Sequence, residues 1–276
     1  MRTQYLFLLF CVVALSCNDH AVKKADLALP SRELHYNMET GEPIAEKLYT
    51  YDINGNLLSE FYNALTTKVR SSQITYTYDA ENRMTSQVTR FIDEPVDLYA
   101  IVKFRYDGLK KIADEYYNSD SPGETPHSIV MYYYTGVEPD SVIAYHHNSA
   151  AEFKFNYGLY FKYDDRWRLL EEKRRFFDGS FIVTKINTYM GDLLTQTCNP
   201  VTGQEGVLNC TKFEYHQDET LFRSYATLTG HPDRLLEEYT YQDKLLAEKK
   251  VFDQHYYFPA YSSDPTPYTL LVKIEY

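Results

Sequence analysis

Four aspartates recur at one position of a repeated pattern, Asp52, Asp79, Asp107 and Asp164, each directly after a tyrosine. Carboxylates can ligate a cation or move protons, but either task needs a singular constellation, and these residues recur with every unit. An Asp that accepts the N–H groups of a tight turn recurs wherever the turn does, so all four are read as turn caps. The stretch Asp52-Ile53-Asn54-Gly55-Asn56 opens like a calcium loop but lacks the distant bidentate glutamate that completes one. Two acid pairs lie in units where the pattern degenerates, Glu138/Asp140 and Asp164/Asp165. As the acids of a polysaccharide-cleaving site they would stand ~5–10 Å apart in a cleft, at least one of them desolvated. His146 and His147 are neighbours on a predicted strand and point to opposite faces, so they cannot share a metal. With no nucleophile–base motif, the expectation is no catalytic residue, no metal and no cofactor, hence a protein that is not an enzyme.

Two pairs of cysteines remain. Cys11 and Cys17 belong to the apolar N-terminal stretch, and Cys198 and Cys210 flank the segment 199–209. With unbroken alternation both of the latter point away from the tyrosine face, five residues from Leu193 and from Tyr215 respectively. They are expected to face each other on adjacent strands as a disulfide rather than stand free, which would contribute ~2–4 kcal/mol.

What must position these groups is a period. Tyr-x-Tyr, or a relative of it, ends at Tyr51, Tyr78, Tyr106, Tyr134, Tyr163, Tyr189, Tyr215 and Tyr241, with steps of 27, 28, 28, 29, 26, 26 and 26 residues. Such a period marks one supersecondary unit repeated side by side. Seven of the eight residues two before the anchor are aromatic (Tyr49, Tyr76, Phe104, Tyr132, Phe161, Phe213 and Tyr239), and Asn187 is the exception. Aromatic and polar residues in alternation are a half-buried strand with its rings on one face. After each anchor comes a turn and then an apolar opener: Leu57, Met84, Ile112, Val142, Leu169, Leu193, Leu221 and Leu245. The anchor-to-opener offsets are all even, which is read as the chain keeping one ring-bearing face through every turn. In the first turn Ile53-Asn54-Gly55 forms a three-residue loop with Gly55 in the left-handed region. Asn82 tolerates that conformation, whereas Lys110, Trp167 and Glu219 fit it poorly.

The expected fold is all-β: an antiparallel meander of about eight hairpins, roughly 16 strands, forming a large twisted or curled sheet over residues 34–276. The segment Leu270–Tyr276 reads as the first half of a ninth unit, and Leu34-His35-Tyr36 as a degenerate N-terminal piece. YDINGNLLSE and YDAENRMTSQ resemble the YD repeats of Rhs, teneurin and related bacterial shell proteins. That resemblance covers about residues 48–250 and implies a spiralling sheet of hairpins. The chain has too few units for a full cocoon, so only the hairpin is carried over.

Residues 1–16, with Arg2 before an apolar run, read as a signal peptide. The run is too short to span a membrane, which takes ~20 residues. The sequence Ala14-Leu15-Ser16-Cys17 resembles a relaxed lipobox of Bacteroidetes type, which makes Cys17 the expected lipidation site and residues 17–33 a tether. Acyl chains there would anchor the chain in an envelope membrane, on the periplasmic side or at the surface. The tail 268–276 resembles the insertion signal of outer-membrane barrels, but Lys, Arg and Glu dominate the non-aromatic face, so a soluble sheet is expected.

The formal charge of −11 argues against a nucleic-acid surface, and acidic neighbours offset basic clusters such as Lys173-Arg174-Arg175. With 28 Tyr and 15 Phe against one Trp, the expected role is a non-catalytic binding or scaffold function towards a glycan or an envelope protein. The alternatives are an envelope polysaccharide-active enzyme and an accessory or remnant of an Rhs-type toxin system.

Overall fold

The computed structural model describes residues 28–66, 71–92, 99–119, 125–147, 152–201, 204, 206–252 and 269–276. The signal stretch and Cys17 lie outside the described residues. The first strands are β1 (Arg32–Asn37), β2 (Pro43–Tyr51), β3 (Leu57–Ala64), β4 (Ser72–Tyr78), β5 (Met84–Phe91) and β6 (Tyr99–Asp107). Next come β7 (Lys110–Asn118), β8 (Ser128–Tyr133), β9 (Ser141–His147), β10 (Phe153–Tyr163), β11 (Leu169–Arg175) and β12 (Phe181–Met190). The last are β13 (Leu193–Pro200), β14 (Leu208–Tyr215), β15 (Leu221–Leu228), β16 (Arg234–Gln242), β17 (Leu245–Val251) and β18 (Leu270–Glu275).

Every strand pairs antiparallel with its successor, and β18 pairs with β1, Glu275 opposite Arg32 and Leu270 opposite Asn37. The result is a closed barrel of 18 strands, which corrects the expectation of an open, curled sheet of about eight hairpins and roughly 16 strands. The physical reason is the ninth unit. β18 supplies the first half of a hairpin, and its second half is β1, from the other end of the domain. The two ends thus complete one hairpin and leave no edge. β1 begins at Arg32, inside the stretch read as tether, and Ser31 already donates its N–H to the Glu275 carbonyl at 2.7 Å.

The tight turns that follow each tyrosine anchor lie at one end of the barrel, here called the turn rim, together with residues 29–31 and Tyr276. Three-residue loops bring Gly55 (φ 77°), Asn82 (φ 59°), Trp167 (φ 61°) and Glu219 (φ 67°) into the left-handed region. Trp167 and Glu219 therefore adopt the conformation that their side chains disfavour. The turn at Lys110 is of another kind: Asp107 pairs with Lys110 across a two-residue loop with φ 56° at Gly108.

The even-offset rule does not hold. Anchors pair directly with Leu57, Met84, Leu169 and Leu221, six residues on, but with Lys111, Leu194 and Leu246, five residues on. Directly paired residues share a face whatever the loop length, so parity is not the constraint. A bulge at each of these seven anchors then adds one residue and restores the outward alternation.

Within β6, Lys103, Arg105 and Asp107 are exposed while Phe104 and Tyr106 between them are half-buried. Lys249 on β17 senses the charges of Glu33 on β1 and Lys47 on β2, which lie across intervening strands. Only the concave face of a curved wall brings such groups together, so the rings face inward. For a circular section, 18 strands ~4.8 Å apart give a backbone diameter of at least ~27 Å, and barrels of this strand number enclose a lumen. Local clusters replace a single core: Ile44, Val251 and Leu270 form one, and Val130, Val142 and Ala144 form another. Val251 and Ser224 are the largest side chains that are fully enclosed.

Candidate functional site

At the turn rim three of the four repeated aspartates, Asp52, Asp79 and Asp164, act as caps. Asp107 ends β6 beside a two-residue loop and does not, which corrects the reading of all four as caps. Asp79 Oδ1 accepts the N–H groups of Glu81 and Arg83 at 3.0 and 2.9 Å, and its Oδ2 accepts from Arg83 Nε at 2.7 Å. Asp164 repeats the arrangement with Arg166, Arg168 and Arg168 Nε at 2.9, 3.0 and 2.7 Å. In Asp52 the partners are Asn54, Asn56 and the Asn56 amide, each at 2.8 Å. Hydrogen bonds to Arg168 and its charge hold the Asp164 carboxyl below its ordinary value. Asp107, in the two-residue turn, is exposed.

Each arginine also reaches the next hairpin. Arg83 lies over the Tyr106 ring at 5.1 Å and donates to the Gly108 carbonyl; Arg168 lies over Tyr189 at 4.8 Å and donates to the Gly191 carbonyl. Sequence reasoning missed this link, although both arginines stand five residues after an anchor, a signal carried by the period itself.

The anchors form a second, continuous link. The hydroxyls of Tyr78, Tyr106, Tyr134, Tyr189 and Tyr215 donate to the carbonyls of Leu57, Met84, Lys111, Leu169 and Leu194, at 2.7–3.1 Å. In each case the acceptor is the residue directly paired with the preceding anchor, where the bulge interrupts the ladder. Tyr163 uses Pro139 at 3.0 Å, Tyr51 uses Pro30 at 2.9 Å, and Tyr276, a ninth anchor, uses Leu246 at 3.0 Å. Burial raises the phenols of Tyr51, Tyr78, Tyr106 and Tyr241 above their ordinary value.

Deeper in the lumen wall, the tyrosines two residues before the anchors meet acids of the preceding strand. Tyr49 donates to Glu33 at 2.6 Å, Tyr76 donates to Glu60, and Tyr132 donates to Asp114 at 2.5 Å. Asp114 is 4 % exposed and also accepts from Lys111 Nζ at 3.1 Å. Burial pushes Glu33 up, but hydrogen bonds from His35 and Tyr49 and the charge of Lys47 outweigh it, leaving the carboxyl at about 2. Burial lowers Lys249, against the pull of Glu237 and Glu33. These acids were not identified from the sequence.

Neither acid pair lines the depression described at the rim. Asp164 is a cap and Asp165 is exposed at the rim. Asp140 accepts the Thr135 N–H, while desolvation raises Glu138 above its ordinary value. A depression of about 560 Å³ at the rim is lined by Met190, Leu193, Phe213, Tyr215, His216 and Phe222, and neither pair borders it. His146 and His147 have different neighbours, His127 at 6.4 Å and Phe153 at 5.2 Å. Among the described residues no three His, Cys, Asp or Glu side chains gather as a metal site.

Cys198 and Cys210 sit directly opposite each other on β13 and β14 and are disulfide-bonded, with Cα atoms 4.0 Å apart. They lie on the outward face, although the alternation assumed for them is broken. Leu194, not Leu193, pairs with the anchor, and the bulge at Thr195 cancels that shift.

The outward wall carries ion pairs around much of its circumference. They include Arg32–Glu46 at 2.5 Å, Arg105–Glu115 at 2.7 Å and Arg223–Glu238 at 2.6 Å. A lipid-facing band would be apolar. The aromatic part of the outer wall is the sector of β8–β10 and β12, where Tyr133, Phe153 and Phe181 are exposed.

Fold and site together define a closed barrel of nine tyrosine-anchored hairpins with a polar outer wall. Searches with family models and among curated proteins find no match. Among solved structures the chain is similar to a porin-like protein from Bacteroides uniformis, with a TM-score of 0.46 and 10 % identity over 91 % of this chain and 98 % of that one. It is also similar to a porin-like protein from Bacteroides vulgatus, with a TM-score of 0.31 and 10 % identity over 90 % and 99 %. For the structure of TcdB2-TccC3 the TM-score is 0.34 and the identity 12 %, over 79 % of this chain and 15 % of that one. At these values the likenesses carry no functional argument, and the YD-repeat resemblance rests on the residues themselves.

Proposed function

We propose that this chain is a lipid-anchored envelope protein whose barrel has a non-catalytic binding or scaffold role. The observation that carries the reading is the position of Pro30. The chain joins the barrel at the turn rim, where Tyr51 holds the Pro30 carbonyl, and Cys17 lies thirteen residues earlier in the sequence. An extended segment of that length reaches at most ~45 Å, so acyl chains on Cys17 keep the turn rim close to the membrane. The non-catalytic part is supported by the fate of the repeated groups. The anchor hydroxyls and the carboxyls of Asp52, Asp79 and Asp164 are consumed in holding hairpins together. The ligand class is a glycan or an envelope protein, for which tyrosine-rich walls offer stacking faces and hydrogen-bonding tips.

Labelling with an alkyne palmitate analogue tests the anchor: label should appear on the intact chain and vanish in Cys17→Ser. Label that persists in the variant overturns it. A pull-down with the full chain against glycans and envelope proteins tests the binding role, and silence against all of them counts against it.

One observation favours the alternative of a polysaccharide-active enzyme. Glu138 is raised by desolvation, as a general acid is. Hydrolysis of envelope polysaccharide that is lost in Glu138→Gln would establish that reading.

A further inference from the structure

Exposed apolar side chains stand at five hairpin ends of the turn rim, four in the loops and Met190 as the last residue of β12. Ile53 is 101 % exposed, Leu109 89 %, Met190 67 %, Val137 51 % and Trp167 50 %. They lie at the ends of β2, β6, β8, β10 and β12, a sector of rather more than half the rim, and the turns after β4, β14 and β16 carry no such residue. Turn tips ordinarily carry Gly, Asn, Asp and Ser, which satisfy the turn and remain in water. Trp167 makes the point most sharply, because a bulky residue there accepts φ 61° and still leaves half its surface outside. It packs against the adjacent turn at Gly136, where an added Cβ would come within 2.5 Å of the indole. The opposite rim, among the described residues, exposes Phe177 at 85 %, Phe181 at 53 %, Ile92 at 48 % and Leu65 at 47 %. It is therefore the exit of the chain, and not apolar exposure by itself, that sets the turn rim apart.

We propose that the turn rim docks on a lipid surface, with Ile53, Leu109, Val137, Trp167 and Met190 dipping into the headgroup region. The occupant is identified by where the chain goes. The segment that carries Cys17 leaves the barrel at this rim, beside Leu29, Pro30 and Tyr276, and so delivers the rim to the membrane in which an acyl chain inserts. This inference rests on the lipid-anchor reading above. Charged side chains of both signs surround the tips: the exposed Arg166 and Lys110 alternate with Asp107, Asp165 and Asp192. A neutral, zwitterionic surface therefore suits the rim better than a strongly charged one. Tryptophan is the expected residue at such a boundary, its ring apolar and its N–H wet.

The chain contains a single tryptophan, so its intrinsic fluorescence reports on this rim alone. The acylated full chain is reconstituted on phosphatidylcholine vesicles with and without acyl-chain bromine, and flotation and Trp167 emission are read together. Expected are co-flotation, at least a twofold loss of emission with brominated lipid, and at least a twofold fall in acrylamide quenching. Protein that floats but shows no bromine quenching and full acrylamide quenching overturns the docking and leaves the anchor intact. Protein that does not float overturns both. Protection of Trp167 without vesicles, rising with protein concentration, means that a second copy covers the rim and also overturns the proposal. The triple variant Ile53→Asp, Leu109→Asp, Met190→Asp should float but lose most of the bromine quenching. Phe177→Asp at the other rim should change neither reading, and circular dichroism confirms that each variant keeps its sheet.

Discussion

Tyr51 donates its hydroxyl to the carbonyl of Pro30 at 2.9 Å, and by this bond the first hairpin holds the segment that completes the ninth. The same bond elsewhere joins each hairpin to the one before it, so the anchors work as staples between repeats as well as aromatic surface. Replacing Tyr106 or Tyr215 by Phe keeps the ring and leaves a carbonyl without its donor. Each change should lower stability by about 0.5–1.5 kcal/mol in urea unfolding. Tyr51→Phe should do the same and also speed amide exchange in β1 more than in β6. Uniform exchange across the barrel would show that the seam gains nothing particular from this bond.

Glu219 accepts φ 67° at the third position of its loop without a glycine's freedom. Glu219→Gly should raise stability by about 0.5–1 kcal/mol, because the left-handed backbone is costly for a residue with a Cβ. Gly55→Ala, at the equivalent place, should lower it by a similar amount. The two urea midpoints should move in opposite directions.

Glu33 gives the fold a pH dependence whose sign follows from its depressed carboxyl. In the folded barrel it titrates near 2, against an ordinary value of 4.5. Its contribution is therefore complete above about pH 5 and is lost as the pH falls towards 2. Glu33→Gln should remove roughly 1–3 kcal/mol at pH 7 and flatten the stability profile between pH 5 and 2. An unchanged acid limb in the variant would assign the acid sensitivity to other carboxyls.

The Cys198–Cys210 bridge spans 12 residues. The double variant Cys198→Ser, Cys210→Ser should lose about 3 kcal/mol, and reductant should then have no further effect on its unfolding midpoint. Both cysteines face outward, so the lumen-side contacts at Thr197 and Thr211 should be unaltered, which proton chemical shifts of their methyl groups would report.

The hairpins, the gathering of their rings on one face and the caps at Asp52, Asp79 and Asp164 could be read directly, because a strand's alternation and a turn's chemistry are local. Closure could not. The partner of Leu270–Tyr276 is Arg32–Asn37, which lacks Tyr-x-Tyr and keeps only the degenerate Leu34-His35-Tyr36, too little to mark it as the other half of the ninth hairpin. The bulges were also invisible, since Leu193 and Leu194 are equally good openers and only pairing distinguishes them. That is why the parity of Cys198 came out right through two cancelling errors. Phenol–carboxylate hydrogen bonds such as Tyr132 to Asp114 join residues 18 apart on different hairpins, a separation set by loop length and not by any motif. The exposed apolar residues of the turn rim were hidden for another reason: Trp167 stood out only as a poor fit to its turn.

The pairing of β1 with β18 has a consequence for how the molecule assembles. Ser31 and Glu275 are 244 residues apart, so the bond between them is among the most non-local in the chain. Neighbouring hairpins can form early and independently, but the ring stays an open ribbon with two unsatisfied edges until β18 arrives. During that interval the ribbon is most exposed to pairing with other chains. Folding speed and yield should therefore depend on one final docking event rather than on the hairpins, and joining the two ends covalently should accelerate it.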